Sequence, residues 1–178
     1  MEKIEIPIPD GVTITHEGDA LTVAGERGSI TRSFRVPSIT ITISDQTAVL
    51  STSSRRKKDL AKLGTVRSRI TNMVHGVQEG YEYKLKIFYA HFPMNVSVDG
   101  DQIKIDNFLG EKFPRYARIV GDTQVEIQHD IITVSGIDKE NVGQTAANLE
   151  QATRIKKKDP RVFQDGIYLY ERDGVKIK

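Results

Sequence analysis

Five positively charged side chains lie close together near the end of this 178-residue chain. Residues 154–161 hold five cations and a single acid, Asp159, so this stretch has a net charge of +4 in a protein whose total is only +2. The five cations are Arg154, Lys156, Lys157, Lys158 and Arg161. Lys and Arg side chains contact phosphates, and the amide of Gln164, just beyond, can bond to a base or a backbone. From composition alone, a phosphate-binding loop and a solvated helix end explain the stretch equally well.

Two other features that could contact RNA also have a purely structural explanation. Arg55, Arg56, Lys57 and Lys58 form a second basic run at the start of a predicted helix. A solvated polar face of that helix is a better explanation than RNA contact. These four residues remain candidates for secondary RNA contacts. Phe163 could stack on an unpaired base. Its spacing from Ile167 favours packing in the core instead.

No other group of residues indicates catalysis or metal binding. The four histidines are isolated from one another and from acids at metal-ligand spacing, and the chain has no Cys. The absence of Cys excludes disulfides and thiolate sites and is compatible with a reducing cytoplasm. The sequence contains neither a phosphate-binding glycine loop nor a nucleophile elbow. We therefore expect no catalytic residue, no metal, no cofactor and no small-molecule substrate.

Hydrophobic periodicity predicts short strands and two helices. Alternating runs on either side of Gly18 and of Gly100 predict two β-hairpins. The first helix is expected to begin at Ser53 or Ser54, either of which could cap it, and the second to be capped by Asp138. Pro160 should keep the basic stretch out of that second helix, on a loop. Residues 163–170 are predicted to form the last strand, and the polar tail beyond them is expected to be frayed.

The order of these elements repeats once along the chain. VTITHEGD at residue 12 corresponds to VSVDGD at residue 96, and Arg69-Ile70 corresponds to Arg154-Ile155, at offsets of about 85 residues. An approximate repeat of this length predicts two tandem modules, residues 1–80 and residues 81–178. Strands followed by a helix in each half indicate an α+β class, with a mostly antiparallel sheet and one helix packed on it in each module.

Three long motifs carry a family resemblance. They are VGQTAANLEQATRI before the basic stretch and DPRVFQDGIYLYERDG after it, together with NMVHGVQEGYEYKLKI from residue 72. These segments resemble the large-subunit ribosomal protein six (L-six) family, and the resemblance covers essentially the whole chain. The bacterial branch has a segment rich in Pro, Lys and Gly where this chain has DPRVFQDG. The chain is therefore similar to the archaeal and eukaryotic branch.

The resemblance implies a structural protein of the large ribosomal subunit in the cytoplasm, with no enzymatic turnover. It implies that the second module binds large-subunit ribosomal RNA, near the region where translational GTPases act, beside neighbouring ribosomal proteins. Carried over position by position, the RNA contacts fall on Arg154, Lys156, Lys157, Lys158, Arg161 and Gln164.

Two other classes of function remain open at this point. One is a protein-interaction module whose basic loop meets an acidic partner, and the other is a small enzyme with a site between its two modules. Association with a membrane is not expected, because no apolar run approaches the roughly 20 residues needed to cross a bilayer. The alternating, acidic start of the chain, MEKIEIPIPD, is not the pattern of a signal peptide.

Overall fold

The chain divides into two compact units, and each is described by itself. The computed structural model describes residues 2–44 and 46–177. Unit 1 comprises Met1–Gly80 and unit 2 comprises Tyr81–Lys178. Every strand pairing among the described residues is antiparallel. The predicted α+β class is confirmed, although the strands of each unit form two sheets and not one.

Unit 1 consists of six strands followed by a helix. Its elements are β1 (Glu2–Pro7), β2 (Thr13–Glu17), β3 (Ala20–Gly25), β4 (Gly28–Ser33), β5 (Thr40–Ser44), β6 (Thr47–Thr52) and α1 (Lys57–Gln78). One sheet has the order β1-β6-β5 and the other β2-β3-β4. Helix α1 contacts strands of both sheets and buries its apolar stripe there, including Leu63, Val66 and Ile70. This spacing of three and four residues is the periodicity that predicted the helix.

The start of α1 differs from the prediction. The helix begins at Lys57 with Arg56 in the capping position, and Arg56 makes no side-chain capping bond. The Ser54 hydroxyl instead accepts a hydrogen bond from the Arg56 N–H at 3.3 Å and donates to Asp59 Oδ2 at 2.7 Å. Residues 53–56 leave β6 without helical structure, so Ser54 supports the first turn from outside the helix. The expected cap at Ser53 or Ser54 is therefore wrong by two to three residues.

Unit 2 repeats this order and then extends it. Its elements are β7 (Tyr81–Phe88), β8 (Asn95–Asp99), β9 (Gln102–Asp106), β10 (Arg115–Arg118), β11 (Gln124–Gln128), β12 (Ile131–Gly136), α2 (Lys139–Ala152), β13 (Gly166–Arg172) and β14 (Val175–Lys176). The two sheets are β8-β9-β10 and β11-β12-β7-β13-β14. As predicted, Asp138 caps α2, and its carboxylate accepts from the Glu140 N–H at 3.0 Å.

The strand orders of the two units correspond one to one. The order β7-β12-β11 in unit 2 matches β1-β6-β5 in unit 1, and β8-β9-β10 matches β2-β3-β4. Strands β13 and β14 are additions to unit 2, on the side of β7 that corresponds to the outer edge of β1. The core of unit 2 lies between α2 and the sheets and includes Leu85, Ile103 and Leu149, which are fully buried. Burial of one such side chain stabilises a fold by about 1.5–3 kcal/mol.

Two expectations about the end of the chain are wrong. The last long strand begins at Gly166 and not at residue 163, because the Asp159 carbonyl accepts from the N–H groups of Val162 and Phe163 and closes a turn there. Residues 171–177 are not frayed. Residues 175–176 pair with β13, and Asp173 bonds to the backbone of Glu82 in both directions, at 2.8 Å each.

Candidate nucleic-acid interface

The five cations of the C-terminal stretch lie on one loop between α2 and β13. We call residues 154–165 the basic loop. Helix α2 ends at Ala152, and Pro160 lies in the middle of the loop, so the predicted placement is correct. Six predicted contact residues are exposed on this loop: Arg154, Lys156, Lys157, Lys158, Arg161 and Gln164. Within residues 2–44 and 46–177, Lys156 and Lys157 form no ion pair, so their charge is available to an anion.

The single acid of the cluster is engaged by Arg161. The Arg161 side chain donates to both Asp159 carboxylate oxygens, from Nη2 at 2.8 Å and from Nε at 3.1 Å, and the Arg161 backbone N–H adds a third bond at 2.9 Å. These bonds lower the pKa of Asp159 below its ordinary value. The pair closes the turn but leaves 87% of the Arg161 side chain exposed, so Arg161 both shapes the loop and presents charge.

Arg115 anchors the start of the loop from β10. Its Nη1 donates to the carbonyl oxygens of Ala152 at 2.8 Å and of Arg154 at 3.1 Å, at the end of α2 where carbonyls lack helical partners. Glu111 holds the same guanidinium with two further bonds, at 2.6 and 2.8 Å. The guanidinium also lies 4.3 Å from the centre of the Phe108 ring. The position where the cations begin is therefore fixed by two hydrogen bonds from Arg115, and Glu111 holds Arg115 in place with two more.

Phe163 belongs to the basic loop and not to the core. Its ring lies 5.0 Å from that of His91, and Lys158 Nζ lies 4.6 Å from its centre. Phe163 is only half-buried and is absent from the core cluster of unit 2. The expectation of core packing is wrong, because the turn at residue 159 turns this side chain toward the loop before β13 starts. Stacking on Phe163 restrains Lys158.

Asp165 anchors the other end of the loop and was missed in the sequence. Its carboxylate is 1% exposed and accepts from the Ala90 N–H at 3.1 Å and from His91 Nδ1 at 3.4 Å. Burial raises the pKa of Asp165, but the donors of Ala90 and His91 outweigh burial and hold that pKa below its ordinary value. These partners lie 74 and 75 residues away, so no local pattern could have indicated the pairing.

The second basic run is exposed at the beginning of α1. Arg55 and Arg56 precede the helix, and Lys57 and Lys58 are its first two residues. Positive charge at a helix N-terminus opposes the helix dipole, so these cations do not stabilise the helix. The same end of a helix attracts anions. Their position is thus compatible with the secondary RNA contacts expected from the sequence.

No group of three or more His, Asp or Glu side chains in residues 2–44 and 46–177 is arranged to hold a metal ion. Neither described helix is long and apolar enough to cross a membrane.

Comparison with known proteins identifies the family. The sequence profile described as Ribosomal protein L6 matches the chain twice, at residues 8–80 and 92–166. This chain belongs to the ribosomal protein L6 family. Large ribosomal subunit protein uL6 from Methanobrevibacter smithii is 52% identical over 169 residues, which cover 95% of each chain. The same protein from Methanocella arvoryzae is 52% identical over 170 residues, covering 94% of this chain and 96% of the relative.

The comparisons confirm the resemblance and its branch. A third archaeal relative, uL6 from Haloarcula marismortui, is 48% identical over 95% of each chain. The two L6 matches also confirm the internal repeat, because each covers most of one structural unit. The second match ends at residue 166, so most of β13 and all of β14 lie outside the repeated part of the L6 sequence.

Proposed function

We propose that this protein is a structural constituent of the large ribosomal subunit and binds large-subunit ribosomal RNA mainly through the basic loop of unit 2. The observation that carries the proposal is the near full-length similarity to large ribosomal subunit proteins, together with a cation cluster exposed on an anchored loop. We place the protein on the cytoplasmic ribosome beside other ribosomal proteins. Following the family resemblance, we place unit 2 near the region where translation factors bind.

The mechanism is electrostatic and needs no turnover. Each Lys or Arg that neutralises a phosphate releases counterions, so affinity falls steeply with salt. Lys156 and Lys157 supply charge that no acid of the described chain neutralises, and Arg161 can offer its exposed guanidinium to phosphate in a fork geometry. Arg154, Lys158 and Gln164 extend the same surface. Recognition then depends on the shape of the folded RNA. A loop that is fixed at both ends meets that RNA as a rigid element.

The anchors at the two ends of the basic loop support this proposal. Arg115 fixes the beginning and Asp165 fixes the end, so the cations project from a defined frame and not from a mobile tail. A preorganised loop loses less conformational freedom on binding than a flexible one. Arg55, Arg56, Lys57 and Lys58 of unit 1 are proposed as secondary contacts.

A salt series on the full-length protein tests the proposal. The protein and a variant with Lys156, Lys157 and Lys158 all changed to Ala are titrated with a large-subunit ribosomal RNA transcript. The slope of log affinity against log salt should become shallower by about two to three in the variant, since three phosphate contacts are lost. Arg161 is changed separately, because its bond to Asp159 also shapes the turn.

A matched variant removes the same charge elsewhere. Lys3, Lys112 and Lys176 are exposed, and changing all three to Ala gives the same net charge as the loop variant. The control should keep the wild-type slope. If both variants weaken binding alike, the attraction is due to net charge and the basic loop is not the binding surface. If neither variant weakens binding, the loop has no role in RNA recognition.

A further inference from the structure

Two aromatic side chains are exposed on the outer face of the larger sheet of unit 2. Phe88 ends β7 and is 44% exposed, and Tyr168 lies on the neighbouring strand β13 and is 43% exposed. Gly166 pairs with Phe88 and Tyr168 pairs with Lys86, so the two aromatic residues are diagonal neighbours on that face. Their ring centres are 5.9 Å apart and their planes are inclined at 57°. The inner face of β7, by contrast, is buried under α2.

These rings line a groove that is continuous with the basic loop. The groove has a volume of about 410 Å³ and is lined by Phe88, Tyr89, Ala90, Gln164, Asp165 and Tyr168. Gln164 and Asp165 are the last two residues of the basic loop, so one wall of the groove is the loop itself. Tyr89 adds a third aromatic side chain and is 54% exposed. The volume lies in the range of about 300–1,000 Å³ that is typical of small-ligand pockets.

The rim of the groove carries a polar amide and Lys86, whose Nζ also lies 3.9 Å from Asp130 Oδ2. Lys86 Nζ lies 5.4 Å from the centre of the Phe88 ring, and the lysines of the basic loop precede Gln164. The Tyr168 hydroxyl donates to the Gln164 carbonyl at 3.2 Å, which fixes the ring against the loop. The exposed Gln164 amide both donates and accepts hydrogen bonds, as the edge of a nucleobase does. A flat apolar ring face beside cations is a better binding surface for a nucleobase and its phosphate than for an aliphatic side chain.

We infer that this groove binds a single unstacked base of the RNA whose phosphates contact the basic loop. The inference rests on the proposed function. Exposed aromatic residues on adjacent antiparallel strands are a surface on which proteins stack unpaired bases. Base stacking is tolerant of sequence, because every base has an aromatic face. Phe88 and Tyr168 hold the base, Gln164 contacts its edge, and Lys86 and the loop lysines hold the flanking phosphates.

Substitutions that remove the aromatic face without removing charge test the inference. Phe88→Leu and Tyr168→Leu are made in the full-length protein and titrated with the large-subunit ribosomal RNA transcript across the same salt series. Each should weaken binding roughly five- to 150-fold and leave the salt slope unchanged, because no phosphate contact is lost. Tyr168→Phe keeps the ring and loses only the hydroxyl bond to the Gln164 carbonyl, so it should bind clearly more tightly than Tyr168→Leu. Tyr116→Leu, at an exposed tyrosine of β10, is the control and should bind like wild type.

Ultraviolet cross-linking of the wild-type complex gives a second measurement that does not depend on how the variants fold. Cross-linked nucleotides, located by mass spectrometry, should lie on residues 88–90 or 164–168. If the Leu variants bind like wild type, or if cross-links form only elsewhere, the inference is wrong. Loss of affinity in the triple-lysine variant with none in the Leu variants would overturn base stacking and leave the proposed function intact. In that case a neighbouring protein is the better candidate to cover this face.

Discussion

At the residue scale, two buried or half-buried side chains hold the basic loop in place. Arg115 bonds to carbonyls at its beginning, and Asp165 bonds to the Ala90–His91 backbone and ring at its end. Neither residue belongs to the predicted set of RNA contacts. Both residues position the loop that forms the proposed RNA surface, so substitutions at each can distinguish positioning of the loop from direct contact with RNA.

Asp165→Asn should destabilise the protein by about 1–3 kcal/mol near neutral pH, because a buried set of N–H donors loses its carboxylate. The folded-state pKa of Asp165 is lowered, so its ionised form stabilises the fold above the unfolded-state pKa of about 3.9 and loses this effect as pH falls through the folded-state value. Urea unfolding from pH 7 to pH 3 should show the wild-type advantage shrinking below pH 3.9. Asp122→Asn, at an exposed acid, is the matched control. A constant difference across this range would contradict the prediction.

Arg115→Lys keeps the positive charge but loses the fork that bonds to two carbonyls and Glu111 at once. We expect a loss of about 1–3 kcal/mol in the free energy of unfolding, because carbonyls at the end of α2 are left without a donor. Amide hydrogen exchange at residues 154–156 should become faster. The salt slope of RNA binding should not change, because Arg115 contacts no phosphate in this arrangement. A shallower slope in this variant would instead identify Arg115 as an RNA contact.

At the element scale, local patterns predicted most of the fold. The two hairpins, the strand β7 and both helices follow from alternation or from three-and-four spacing, which depend only on neighbouring residues. The beginning of α1, the start of β13 and the paired tail could not be predicted in this way. Ser54 bonds to Asp59 instead of capping a helix, and Asp173 bonds to Glu82 across 91 residues. Asp165 and Arg115 were missed for the same reason, since their partners are distant in sequence.

Truncation before Asp173 tests the paired tail. It removes both bonds between Asp173 and Glu82 and the bond from the Ile177 N–H to the Tyr170 carbonyl at 2.8 Å. At about 0.5–1.5 kcal/mol for each bond, the expected loss of stability is about 1.5–4.5 kcal/mol. Hydrogen exchange at Glu82 should become faster in the truncated protein. Exchange at the buried strand β9, which belongs to the other sheet of unit 2, serves as the internal control. An unchanged Glu82 amide would show that the tail is not paired in solution.

At the scale of the whole molecule, the two units share one plan, and unit 2 has additional elements. Strands β13 and β14 and the preceding basic loop follow α2, after the point where unit 1 ends with α1. The proposed RNA surface uses the basic loop, β13 and the end of β7. The proposed binding surface is thus built mainly from elements that unit 2 has and unit 1 lacks.

We therefore propose that residues 1–80 and residues 81–178 fold as separate modules. Expressed alone, residues 81–178 should give a cooperative thermal transition and keep the part of the salt slope that is due to the basic loop. Loss of the four secondary contacts of unit 1 should make the slope shallower than that of the full chain by at most about three to four. Residues 1–80 should bind the same RNA weakly, through Arg55, Arg56, Lys57 and Lys58 only. Equal affinity of the two fragments would shift the main RNA surface to unit 1.

The position of β13 also determines when the RNA surface can exist during synthesis. Strand β7 pairs on one side with β12 and on the other with β13, whose residues lie about eighty positions later in the chain. Unit 1 makes all its strand pairs before residue 53, so it can fold while the rest is still being translated. The groove and the far anchor of the basic loop form only after the last strand has emerged from the translating ribosome. A nascent chain is thus unable to present the assembled form of this proposed RNA surface until β13 has been synthesised and has paired with β7.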